Sequence, residues 1–189
     1  MSNHYLVVLA ASAGGIKAMS AILSNLPANF ATPIAIVQHL DPNYQSYLAE
    51  ILDRRTPLLV KQAVDLDILT PGVVYMAPPN RHLVVNADAT LSLSNAEKVR
   101  HVRPAADILF ESAANSFQER VIAVVLTGMD GDGRDGVMAV KRAGGQVIAQ
   151  DEATSQFFSM PSNAINTGCV DFILPLEEIA PNLLKLVAD

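Results

Sequence analysis

Short runs that are apolar throughout, separated by stretches of helical period, constrain this chain more than any other feature. Ile34-Ala35-Ile36-Val37 and Ile122-Ala123-Val124-Val125-Leu126 place no polar residue on either side of a pleat. A strand with one face in water alternates, whereas a strand covered by helices on both faces does not. The runs predict strands at Tyr5 to Ala11, Pro33 to Gln38, Leu58 to Ala63, Val73 to Met76, Val121 to Leu126, Gln146 to Ala149 and Val170 to Leu174. Helical spacing falls between them, at Ile16 to Leu26, Tyr44 to Arg54, Ala105 to Phe117, Arg134 to Ala143 and Leu176 to Val187. This order predicts a three-layer, doubly wound α/β fold with a mostly parallel sheet. From Val73 to Leu93 the rhythm breaks: Pro78-Pro79-Asn80 and Asn86-Ala87-Asp88 are turn signals between short β segments, so a small antiparallel hairpin is expected there.

The 189 residues suit one domain, 1–189, with a sizeable single core. A net charge of -6 argues against sequence-blind binding of DNA or RNA, which needs a lysine and arginine surplus to displace phosphate counterions. No apolar run reaches the roughly 18 residues of a membrane span, and the run before Ser12 is too short and lacks the basic flank of a signal peptide. A cytoplasmic protein without membrane insertion is expected. The single cysteine, Cys169, can form no intrachain disulfide and reads as a buried apolar residue beside a strand.

In an open parallel sheet the functional crevice lies beyond the carboxyl ends of the strands. The first strand runs into Ala11-Ser12-Ala13-Gly14-Gly15, small residues that permit a tight turn into a helix and put Ser12 at its start. A capping serine would look the same. A nucleotide loop would not, since neither the P-loop nor the dinucleotide glycine spacing is present. The second strand ends at His39, with Pro42 helping to open the next helix; of the four histidines, only His39 leaves a predicted parallel strand. The strand from Val121 leads into Thr127-Gly128-Met129-Asp130-Gly131-Asp132-Gly133-Arg134-Asp135-Gly136. A calcium loop of the EF-hand kind fails there at Arg134, Asp135 and Lys141, and no metal site is expected.

A serine, a histidine and an aspartate at one sheet edge form the set that acyl transfer requires. The histidine takes the hydroxyl proton, and the aspartate fixes the imidazole and stabilises its cation. Backbone N–H groups near Met129 or Ala13 would hold the oxyanion. Spacing alone leaves Asp130, Asp132 and Asp135 all open as the carboxylate.

Several ordered segments, AASAGG, IVQHL, PGVVYMAPPNRHL, RPAADILFESAA, VVLTGMDGDGRDGV, AGGQVIAQDEATSQFFSMPSNAI and GCVDFILPLEEI, resemble the catalytic domain of the chemotaxis protein-glutamate methylesterases, the CheB family, nearly end to end. The resemblance implies Ser12 as nucleophile, His39 as base and Asp132 as orienting carboxylate, the last by the pattern Gly-Met-x-x-Asp-Gly, with the Met129 backbone in the oxyanion hole. It implies hydrolysis of glutamate methyl esters on a chemoreceptor or related signalling protein, without a cofactor, and deamidation of receptor glutamines as a second activity. Alternatives from the same fold are an esterase or amidase with another substrate, and a non-catalytic adaptor. The chain departs from the family in having Ala13 where a threonine often follows the nucleophile. It also begins almost at once with the first catalytic strand, so control by a phosphorylated receiver domain in cis is not expected. Lys98, Arg100, His101 and Arg103 form a local basic cluster suited to an acidic receptor helix.

Overall fold

The computed structural model describes residues 4–41 and 46–188. Seven parallel strands form the main sheet: β1 (Leu6–Ala11), β2 (Ile34–Gln38), β3 (Leu59–Gln62), β4 (Val73–Met76), β7 (Val121–Val125), β8 (Gln146–Gln150) and β9 (Phe172–Leu174). Between β4 and β7 come β5 (His82–Val85) and β6 (Leu91–Ser94), which pair antiparallel as a separate hairpin. The helices are α1 (Gly15–Leu23), α2 (Leu48–Asp53), α3 (Ala106–Phe117), α4 (Arg134–Arg142), α5 (Ser159–Ile165) and α6 (Leu176–Leu186).

Successive residues of β1 enter different cores. Leu6, Val8 and Ala10 pack with Phe110 and Val137 of α3 and α4; Val7, Leu9 and Ala11 pack with Met19 and Leu183 of α1 and α6. All six strand residues are fully buried. This explains why the run shows no polar alternation: a pleat sends side chains to both faces, and helices cover both.

The strand order is β3-β4-β2-β1-β7-β8-β9. The chain winds outward from β1 through β2, then crosses back to β7 on the other side of β1 and winds outward again. The direction therefore reverses between β1 and β7, and the crevice outside their carboxyl ends is the place where open α/β sheets bind ligands.

Three expectations are corrected. Val73–Met76 belongs to the parallel sheet, paired with β2 and β3, and the hairpin begins only after the Pro78-Pro79-Asn80 turn. Cys169 lies in the loop ahead of β9 and is partly exposed. Helix α5 stands where no helix was expected; its period is hidden because one short turn carries Ser159, Pro161, Ser162 and Asn163 among few apolar residues. The expected helix opening at Pro42 and Tyr44 lies outside the described residues. No helix among the described residues is long and apolar enough to cross a membrane.

Candidate active site

The exits of β1, β2 and β7 are fastened together by backbone bonds. The His39 N–H donates to the Ala11 carbonyl at 3.1 Å, and the Ser12 N–H donates to the Thr127 carbonyl at 3.0 Å. Ser12 and His39 consequently leave adjacent strands side by side and line one open cleft of about 520 Å³ with Ile16, Lys17 and Arg55. Gly14, with φ of 80°, makes the turn into α1, and a Cβ there would come within 2.9 Å of Gln156. Few residues other than glycine fit this turn, because the left-handed backbone and the close approach both exclude a side chain.

His39 carries a carboxylate on each ring nitrogen. Nε2 is 2.7 Å from Asp132 Oδ2, and Nδ1 is 2.9 Å from Asp130 Oδ2. The Asp132 carboxylate has no solvent exposure. It accepts the N–H groups of Ala106 at 2.5 Å, Asp107 at 3.0 Å and Gly133 at 3.0 Å. Two of these donors open α3 and would otherwise lack partners, so one buried side chain caps a helix and holds the imidazole. Burial works against a charged imidazole, yet the hydrogen bonds and charges of Asp130 and Asp132 outweigh it and push the His39 pKa up to about 9. Asp135 turns away and pairs with Arg100 at 2.8 Å.

A second layer of polar contacts fixes the loops. Gln38 donates to the Ser12 carbonyl, Gln150 accepts the Thr127 N–H at 3.0 Å, and the Thr127 hydroxyl donates to the Ala13 carbonyl at 2.9 Å. The Gly128 N–H donates to Phe157, and the Met160 N–H returns to Gly128. Among the described residues, the N–H groups of Ala13 and Met129 donate no hydrogen bond; Ala13 follows Ser12, and Met129 follows Gly128, where a Cβ would lie 3.0 Å from the Ser12 Cβ.

Ser12, His39, Asp132, Ala13 and Met129 are thus brought to one place, with one exception to the expected arrangement: the Ser12 hydroxyl makes no hydrogen bond to His39 among the described residues, because Asp130 holds the second ring nitrogen. Sequence reasoning had Asp130 only as a rival to Asp132, and it missed Gln38, Thr127 and Gln150. Their signal was present, since a polar residue ending an otherwise apolar strand, as in IAIVQ and QVIAQ, is already at the sheet edge where a site forms. The basic cluster is less available than expected. Arg100 is engaged with Asp135 and Asp107, while Arg103 bonds Asn80 and the carbonyls of Asn95 and Ala96. Lys98 and His101 remain on the rim of a small pocket beside His39.

The sequence profile of the family described as CheB methylesterase matches residues 7–183. This chain belongs to the CheB methylesterase family. The crystal structure of the Thermotoga maritima CheB methylesterase catalytic domain superimposes with a TM-score of 0.95 at 40% identity, covering 98% of this chain and 100% of that one. Among sequence relatives of this CheB-family chain, a Rhizobium meliloti protein-glutamate methylesterase/protein-glutamine glutaminase is 44% identical over 181 residues, and the Thermotoga maritima protein of that name is 40% identical over 185. The match covers 96% of this chain in both cases but only 51% and 54% of those proteins. A Leptospira interrogans relative, 39% identical over 184 residues, is covered over 95% of its length.

Proposed function

We propose that this chain is a serine hydrolase that removes methyl esters from glutamate side chains of chemoreceptors or related signalling proteins, with protein-glutamine deamidation as a second activity of the same site. The observation that carries this reading is the meeting of Ser12 and His39 in one cleft at the sheet's switch point, with His39 bonded to the buried carboxylate of Asp132. Family membership supports it from an independent direction.

In the proposed mechanism the neutral imidazole of His39 takes the Ser12 proton as Oγ attacks the ester carbonyl. Asp132 stabilises the resulting imidazolium and cannot itself swing away, because three backbone donors hold it. The oxyanion is received by the N–H groups of Ala13 and Met129. His39 then returns its proton to the departing methoxide, methanol leaves, and water attacks the acyl-serine by the same route to give the glutamate carboxylate. For a glutamine side chain the leaving group is ammonia and the bookkeeping is otherwise unchanged. No step requires a cofactor.

The substrate is a short side chain presented from a larger surface, which suits an open cleft better than a deep pocket. Ile16, which lines the cleft, and Met129, the residue after Gly128, are both exposed and offer apolar contact to a partner helix. Lys98 and His101 suit the acidic residues of such a helix, and we assign the activity to the cytoplasm, where the signalling portions of receptors lie.

Methanol release from a methylated receptor, compared between the native protein and Ser12→Ala, tests the reading. Loss of the nucleophile should lower turnover by about 10⁶. Release that persists in Ser12→Ala would exclude Ser12 as nucleophile, and an inactive native protein would favour an adaptor or another substrate.

A further inference from the structure

An imidazole has two nitrogens, and a base in a serine hydrolase needs one for its orienting carboxylate and one for the serine. In this structure both are taken by carboxylates, Nε2 by Asp132 at 2.7 Å and Nδ1 by Asp130 at 2.9 Å. A ring that donates from both nitrogens carries two protons. It is then a cation and has no lone pair with which to accept the Ser12 proton.

The two carboxylates are not equivalent. Asp132 is fully enclosed and anchored by three backbone N–H groups. Asp130 has a side chain 36% exposed, and among the described residues its one other side-chain bond is accepted from the Asp132 N–H at 2.9 Å. Water can therefore replace His39 at Asp130 but not at Asp132. The Gly-Met-x-x-Asp-Gly pattern leaves the position of Asp130 open, so the family's chemistry does not call for a carboxylate there.

We propose that Asp130 is a positioning residue that holds His39 in a resting pose, and that turnover requires the imidazole to exchange Asp130 for Ser12. This rests on the assignment of His39 as the base of Ser12. The Asp130 bond and the Ser12 bond compete for the same ring nitrogen, so the strength of the first sets how much protein is ready to react. A partner surface that occupies the Asp130 carboxylate with its own donors releases the histidine at the moment of docking.

The charges around the ring favour the resting pose. Asp130 and Asp132 bond it directly, and Asp41 follows in the same loop. Lys98, His101 and Arg103 face it from the loop ahead of α3, and Lys17 and Arg55 line the cleft on the Ser12 side. None of these side chains is bonded to His39, whereas both carboxylates are, so the anions prevail. The pKa of about 9 for His39 agrees with that balance.

The test pairs two readouts on the native protein and Asp130→Asn, which keeps the shape of the side chain and removes its charge. One is NMR titration of the His39 ring, its signal identified by its disappearance in His39→Gln. The other is the pH profile of kcat/KM for methanol release from a methylated receptor. In the native protein the ring should titrate well above 6.5, with activity rising over the same pH range. In Asp130→Asn both should move down together by about one unit or more, with activity at pH 7 raised by roughly tenfold. An unchanged His39 titration in Asp130→Asn would overturn the proposal, as would a shifted titration accompanied by lower activity at every pH. Should neither protein release methanol, the esterase assignment fails, while the titration still decides whether Asp130 holds the ring.

Discussion

The side-chain amide of Gln38 donates to the backbone carbonyl of Ser12 at 2.9 Å and to that of His39 at 3.1 Å. Gln38 ends β2 and is buried, so it joins the strand that delivers the base to the turn that delivers the nucleophile. Substituting methionine keeps the volume and removes the donors, leaving the part-buried His39 carbonyl without this partner and the Ser12 carbonyl with only the Gly15 N–H among the described residues. Gln38→Met should lose about 1 to 3 kcal/mol in denaturant unfolding and should lower kcat of methanol release, since Ser12 loses a support from below. Unchanged stability would mean that water replaces the amide.

Asp132 serves the fold and the site together, and the two roles separate by substitution. Asp132→Asn keeps the shape but loses the charge that stabilises the imidazolium, and turnover should fall by about 10⁴. Asp132→Ala also uncaps α3 and should cost about 2 kcal/mol or more in unfolding. The partly exposed Asp130 is not among the groups that cap α3, so its change to alanine should cost clearly less in unfolding than Asp132→Ala. Equal destabilisation by the two alanine variants would contradict the capping role given to Asp132.

Gly136 sits where α4 crosses α3. A Cβ there would meet the Phe110 Cβ at 2.6 Å and the Asp107 Cα at 3.2 Å, and neither can retreat as a flexible chain end would. The Gly136 N–H also donates to Asp107 at 2.8 Å. Gly136→Ala should therefore destabilise by about 1 to 3 kcal/mol, read from the denaturation midpoint, by forcing apart the two helices that carry the Asp132 loop.

Stability should depend on pH through His39. Burial disfavours the charged ring, but two carboxylates more than offset it, so the folded pKa of about 9 lies above the ordinary 6.5. Folding then binds the proton more tightly. The stabilisation is fully present below pH about 6.5 and is lost as pH rises through about 9. The melting temperature of the native protein should fall across that interval, and His39→Gln should lack this component. Parallel curves for the two proteins would show that the ring does not take up its proton more tightly in the folded state.

The layered fold was legible because its signal is local. Continuous apolar runs mark doubly covered strands, and Val73–Met76 was found with its observed ends from its own residues. Assigning that strand to a sheet was another matter, since pairing with β2 and β3 depends on residues far along the chain. The short α5 gave too few apolar positions for a period to register. Ser12 and His39 were legible as site candidates because each stands just past a recognisable strand end, and such ends converge once the strands are parallel.

The sequence by itself therefore determined the α/β class, the strand exits that meet, and a loop with three aspartates at one of them. Tertiary structure decided what each aspartate does. Asp132 is buried because the start of α3, more than twenty residues earlier, presents unpaired N–H groups that only a carboxylate at that point satisfies. Asp135 is drawn off by Arg100, and Asp130 is left beside the second nitrogen of His39. Spacing in a glycine-rich loop does not fix side-chain direction, because its backbone has many accessible turns; the partners that select one turn come from distant segments and exist only when the chain is folded.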